Sequence, residues 1–139
     1  MIKVLIGSFC ATIGFAALFN VKGVKLYYCA IAGVVGATTY ETLMHFDINE
    51  IIALFVASVC VSLYSEYFAR KLKAPVTIFM VCGLICLVPG ALIYLTMLNI
   101  IQGETYLAIQ NGLNTLSIAG ILSLGVVVVS TTFKIFLNK

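Results

Sequence analysis

The chain has 139 residues, of which 63% are hydrophobic and 9% charged, and its mean hydropathy is +1.17. Soluble domains carry roughly a quarter charged residues, so this chain has too few to cover a water-exposed surface, and no soluble catalytic domain fits beside its apolar runs. The formal charge of +3 is small and scattered, which excludes a nucleic-acid footprint. The composition predicts an all-α, polytopic integral membrane protein with residues 1–139 as a single transmembrane domain. About five spans of ~20 residues fit that length.

The first span is expected over residues 2–19. Its apolar run is longer than a signal-peptide core, and Asn20-Val21-Lys22 is not a small-residue cleavage site, so it reads as a retained helix. Gly7, Ala11 and Gly14 offer a small-residue face for close helix contact. Span two, 26–44, carries Ala30, Gly33 and Ala37, with Ala32 and Gly36 alongside, and ends in Thr38-Thr39-Tyr40-Glu41-Thr42. The loop from His45 to Glu50 is acidic, through Asp47 and Glu50. Span three, 51–68, carries Ser58, Ser62, Ser65 and Glu66 as a polar stripe on one face.

A basic loop, Ala69 to Ala74, leads to span four, 75–98, which opens on Pro75. Proline is tolerated in the first turn of a helix. Pro89-Gly90 then interrupts this span near its middle, leaving two halves of about 13 residues each. The stretch from Asn99 to Asn114 is polar with interspersed apolar residues and predicts a connection with an interfacial helix. Span five is expected over 115–133, with Gly120 and Gly125.

Charge placement supports this count. Lys22 and Lys25 fall in the first loop, Arg70, Lys71 and Lys73 in the third, and Lys134 and Lys139 in the tail, while Asp47, Glu50 and Glu104 mark the other side. With five spans, the positive-inside rule makes the first and third loops and the C-terminus cytoplasmic, with Lys3 the exception.

The interrupted span is where chemistry is expected. Carbonyls freed by a proline cannot turn to lipid and must face helices, water or a cavity. The alternative is that Pro89 only bends the helix for packing. Polar groups nearby are Thr77, Tyr94, Thr96 and Asn99, with Tyr94 about one turn after the break. Exposed amides at the half-helix N-termini of such breaks favour anionic groups, such as a carboxylate. Glu41 and Glu66 are intramembrane carboxylates, which either snorkel to the interface or serve as gating or proton-coupling groups.

No catalytic set is present: His45 stands beside Asp47 at a span end, and no nucleophile elbow, phosphate loop or zinc motif occurs. Cys10, Cys29, Cys60, Cys82 and Cys86 all lie in apolar runs and read as small hydrophobes rather than as disulfides or metal ligands. Neither an enzyme nor a cofactor is expected.

Three segments carry a resemblance. Phe19-Asn20-Val21 after the first span, Lys73-Ala74-Pro75 opening the fourth, and Leu87-Val88-Pro89-Gly90 followed by Tyr94 and Met97 resemble the threonine/serine exporter family, specifically its C-terminal five-helix half. The likeness runs from about Gly14 to Phe136, and its pattern falls on Asn20, Pro75, Pro89, Gly90 and Tyr94. Where that family commonly has a proline after Phe-Asn-Val, this chain has Lys22-Gly23.

The resemblance implies a small subunit in a bacterial cytoplasmic membrane, working with a larger membrane subunit of the same family. It implies export of threonine and serine, or of a dicarboxylate such as succinate, driven by the proton-motive force. Five spans are few for a complete alternating-access transporter, so a complementary subunit or a homo-oligomer is expected. The alternative is a scaffold subunit that does not touch substrate.

Overall fold

In the computed structural model the backbone of residues 2–137 and the side chains of residues 4–135 are described. Lys139 and the Lys3 side chain, both of which bear on orientation, lie outside them. Six helices follow one another: α1 (Ile2–Leu18), α2 (Val24–His45), α3 (Glu50–Lys71), α4 (Val76–Leu84), α5 (Gly90–Ile101) and α6 (Thr105–Leu137). The described residues thus hold six helices, the interrupted fourth expected span contributing two of them. By length and apolarity, Glu50–Lys71 and Thr105–Ile135 qualify as membrane-crossing helices. At nine and twelve residues, α4 and α5 are each too short alone for a hydrocarbon core of ~30 Å at ~1.5 Å per residue.

Four helix exits share one device. After α1, Val21 N–H donates to the Ala16 carbonyl (3.0 Å) and Asn20 N–H to that of Ala17 (2.9 Å), with Asn20 left-handed at φ 56°. This is the Schellman stop, in which two orphan carbonyls are satisfied and the residue after the cap takes positive φ. The same pair of bonds recurs around Asp47 (φ 53°), Lys73 (φ 47°) and Gly103 (φ 78°), ending α2, α3 and α5. Asn20 therefore has a local role, and Val21 beyond it packs into the core with Ala16. At the departure from the family pattern, Gly23 caps α2 with φ 72° and ψ −148°, a conformation open to glycine and closed to proline. Pro75 is the N-cap of α4, with φ −60° and ψ 132°.

The centre is a junction of α2, α3 and α4. Gly36 of α2 faces a Val61 methyl and the Gly83 carbonyl, while Gly83 of α4 faces the other Val61 methyl and Ala32. Small residues let these backbones approach closely. Helix α1 joins through its Ser8, Thr12 and Ala16 face, with Thr12 against Gly33. The expected Gly7-Ala11-Gly14 face points away: all three are exposed, and nothing approaches either glycine. Two overlapping stripes on α1 have the spacing of a contact face, and the hydroxyl-bearing one is buried.

The serines of α3 are also buried, and each returns its hydroxyl to its own helix. Ser58 donates to the Phe55 carbonyl, Ser62 to Ser58 and Ser65 to Val61, each at 2.7 Å. The stripe is therefore a packing surface rather than an aqueous one, and Ser58 lies against Gly125 of α6.

Helix α6 runs parallel to α3: Leu54 packs by Leu122, Ser58 by Gly125, and the Arg70 guanidinium lies 5.3 Å from the Phe133 ring centroid. Helix α5 packs chiefly on α6, antiparallel to it, with Thr96 beside Gly112. The polar connection expected over 99–114 shrinks to 102–104, since Gly103 stops α5 and α6 is helical from Thr105. Gln110, Asn111 and Asn114 are dispersed along α6 without breaking it. Leu84 packs on the cluster containing Leu122, and Thr96 lies at Gly112. The chain thus keeps one direction along α6 through the break.

Candidate functional site

Helix α4 stops at Leu84, five residues ahead of Pro89. The reason is the proline itself: it has no N–H for the carbonyl four residues back, and its ring collides with that carbonyl. The affected residue is Ile85, so the interruption spreads over 85–89 instead of sitting at Pro89-Gly90. Leu87 and Val88 N–H both donate to the Leu84 carbonyl, at 2.8 and 3.2 Å. Gly90 N–H donates to the Val88 carbonyl at 2.8 Å across Pro89, whose φ −77° and ψ 61° describe an inverse γ-turn. Ile93 N–H then donates to Pro89 (3.1 Å) and starts α5. Among the described residues, no hydrogen-bond donor reaches the carbonyls of Ile85, Cys86 or Leu87, and the N–H groups of Ala91 and Leu92 find no acceptor.

The segment is anchored from α1. The Cys86 thiol lies 3.2 Å from the Thr12 hydroxyl and 3.6 Å from the Ser8 carbonyl. Leu87 is buried among Leu54, Ala57 and Val61.

Against this irregular backbone lies a cavity of about 250 Å³, lined by Tyr40, Glu50, Leu54, Leu87, Pro89 and Ile118 among others. Cys86, Ala91 and Leu92, with their unpaired backbone groups, also line it. Its ionisable side chains include Glu50 and Tyr40, and the Glu50 carboxylate lies within electrostatic reach of the Tyr40 hydroxyl. A neighbouring hollow of about 520 Å³ shares Glu50, Leu54 and Ile118 and adds Asn114 and Ser117 from α6. Pro89 also borders a third, apolar hollow of about 440 Å³ against Ala119, Leu122 and Val126.

Of the residues singled out from sequence, Pro89 lines the cavity and Gly90 adjoins it, exposed, with open space around its Cα. Tyr94 stands on α5 with 65% of its surface exposed and is not part of the lining. Asn99 lies near the far end of α5, where its carbonyl takes the Glu104 N–H at 2.9 Å. Thr77 is in the first turn of α4, beside a small separate hollow with Phe19 and Val81. Glu41 is half-buried next to Tyr40 on α2 and does not line the cavity. Glu66 is 7% exposed near the other end of α3, where it accepts from Arg70 at 3.1 Å.

Sequence reasoning does not single out Glu50 or Tyr40 for the site. It places Glu50 in a loop, but the Asn49 side chain accepts from Ile51 N–H at 3.0 Å and makes Glu50 the first residue of α3. The signal for this is an Asn N-cap followed by an acidic first turn.

Described residues that form only helices, with apolar exterior faces and a cavity bordered by Tyr40 and Glu50 at a broken helix, have the layout of a membrane transport protein. The chain belongs to the threonine/serine exporter family: the family model "Threonine/Serine exporter, ThrE" matches residues 4–132. An uncharacterized protein of Haemophilus influenzae is 30% identical over 90 residues, which cover 65% of this chain and 30% of that relative. The chain therefore spans under a third of that relative's length. No solved structure matches.

Proposed function

We propose that the chain is one subunit of an exporter of small carboxylate-bearing metabolites, threonine and serine or a dicarboxylate such as succinate. It acts with a larger membrane subunit of the same family in a bacterial cytoplasmic membrane, driven by the proton-motive force. In this reading there are five spans: α1, α2, α3, α4 with α5, and α6. The basic ends of α3 and α6 and the basic first loop are cytoplasmic. The cavity, at the opposite end of α3 from Arg70, then opens toward the outer side.

The observation that carries the reading is the interrupted segment 85–89, whose unpaired backbone groups border a cavity holding Tyr40 and Glu50. The path rests on Pro89 and Gly90; Tyr94, Thr77, Asn99, Glu41 and Glu66 stand outside the cavity. The test is Pro89→Ala, which restores the missing donor and lets α4 and α5 join. Export of the labelled metabolite should fall several-fold while membrane insertion, read by protease accessibility, stays intact. Wild-type export by this variant would sink the role given to the break.

A further inference from the structure

We propose that Glu50 is the specificity-determining residue of the cavity, its carboxylate binding the ammonium group of the transported molecule. The inference rests on the exporter reading above and deepens it, because it separates zwitterionic amino acids from dicarboxylates.

Complementary charge makes the distinction. Among the described residues, the side chains lining the 250 Å³ cavity include one carboxylate, Glu50, and no lysine, arginine or histidine. Glu50 also borders the adjoining 520 Å³ hollow, whose other polar side chains, Asn49, Asn114 and Ser117, are uncharged. The cationic side chains of the described residues lie elsewhere. Arg70 is twenty residues along α3 from Glu50, which is about 30 Å of helix. Lys71 and Lys73 follow Arg70, Lys22 adjoins Val21, which packs in the core with Ala69, and Lys25 is in the first turn of α2.

A dianion entering this cavity would meet the unpaired N–H groups of Ala91 and Leu92, but also a carboxylate that no cationic side chain among the described residues offsets, and like charges that close cost more as water is excluded. An ammonium group has three donors to place. Glu50 supplies a charged acceptor and the Tyr40 hydroxyl a neutral one. Cys86 and Leu87, whose carbonyls are unpaired, line the same space. Neighbouring residues fix the position of Glu50, since Asn49 caps the helix that carries it and Leu54 one turn on is buried.

The experiment compares serine with glycerate, in which a hydroxyl replaces the ammonium group and little else changes. Inside-out membrane vesicles are prepared from the native host with the full chain in place, as wild type, Glu50→Gln, Glu50→Asp or Asp47→Asn. Energised uptake of labelled L-serine, glycerate and succinate is measured. A charge-assisted hydrogen bond is worth enough that Glu50→Gln should lower serine uptake by roughly tenfold or more. It should also bring the serine-to-glycerate ratio near one. Glu50→Asp keeps the charge and should retain the preference with a raised KM. Asp47→Asn, at an exposed loop carboxylate of the same end, should be neutral to both substrates.

An unchanged ratio in Glu50→Gln overturns the inference and leaves the exporter reading standing. So does a wild type that moves succinate or glycerate in preference to serine. Should Glu50→Gln fail to accumulate in the membrane, Glu50→Asp decides: loss of the preference despite a retained charge refutes the assignment. Wild-type vesicles that move none of the three refute the exporter reading, and the inference with it.

Discussion

Gly83 offers the sharpest test of the packing that holds the broken segment. Replacing it with alanine would put a Cβ 2.5 Å from a Val61 methyl and 3.2 Å from the Ala32 Cβ. The first distance is too short to survive, and Val61 is fully buried, so it cannot swing into open space. Two effects compete. Alanine gains about 1 kcal/mol over glycine in a helix, whereas overpacking a filled interior costs typically about 1–3 kcal/mol. The net expectation is a loss of about 0–2 kcal/mol.

The cause is checkable with Val61→Ala. That change alone removes buried methyl groups and should also destabilise, by about 1–3 kcal/mol. Combined with Gly83→Ala, the new methyl occupies part of the vacated space. The double mutant should therefore be more stable than the sum of the singles predicts by about 1 kcal/mol or more. Denaturation in detergent micelles, followed by loss of helicity over a four-protein cycle, measures this coupling. Additivity within ~0.5 kcal/mol would mean that Val61 is not what Gly83 accommodates, and the three-helix junction would have to be redrawn.

Two further outcomes follow from the same structure. Lys73 sits at φ 47°, which costs an L residue about 1–2 kcal/mol, so Lys73→Gly should raise the micellar melting temperature despite removing a charge. An unchanged or lower melting temperature would contradict the left-handed stop after α3. Glu66 pairs with an Arg70 side chain that is 45% exposed, and solvent screens such pairs. Glu66→Gln should therefore cost less than about 1 kcal/mol and leave export at the wild-type level, whereas abolished export would return Glu66 to the transport path.

Helix formation and the interruption are legible in the sequence because apolar run length and proline each act locally. What is not legible depends on which face turns inward. On α1 two small-residue stripes overlap, and the choice of Ser8-Thr12-Ala16 over Gly7-Ala11-Gly14 is made by Gly33 of α2 and by Cys86 in the interrupted segment. The serines of α3 look like a wet face because a hydroxyl has the same one-letter code whether it meets water or its own helix. Depth along a span is the criterion that favours Glu41 and Glu66 among the carboxylates. Glu50 reaches the cavity because Asn49 starts α3 one residue early, where Leu92 of α5 and Ile118 of α6 line the same space.

The break is stable for a reason that also makes it usable. The exits of α1, α2, α3 and α5 consume their last carbonyls in Schellman bonds. Helix α4 has no such stop, and its C-cap residue Ile85 remains right-handed, with φ −56° and ψ −32°. The carbonyls of Ile85, Cys86 and Leu87 beyond it are left open. An open backbone costs free energy in an apolar setting, so it persists only where neighbours hold it. Here Gly83 is wedged by Val61 and Ala32, Leu87 is buried on α3, and Cys86 is tied to Thr12 and Ser8 of α1. Those contacts come from three helices, and the same segment borders the cavity with Tyr40 and Glu50. A clamped segment with polar groups unpaired is preorganised for a small polar ligand, because the cost of ordering it is met by packing before any ligand arrives.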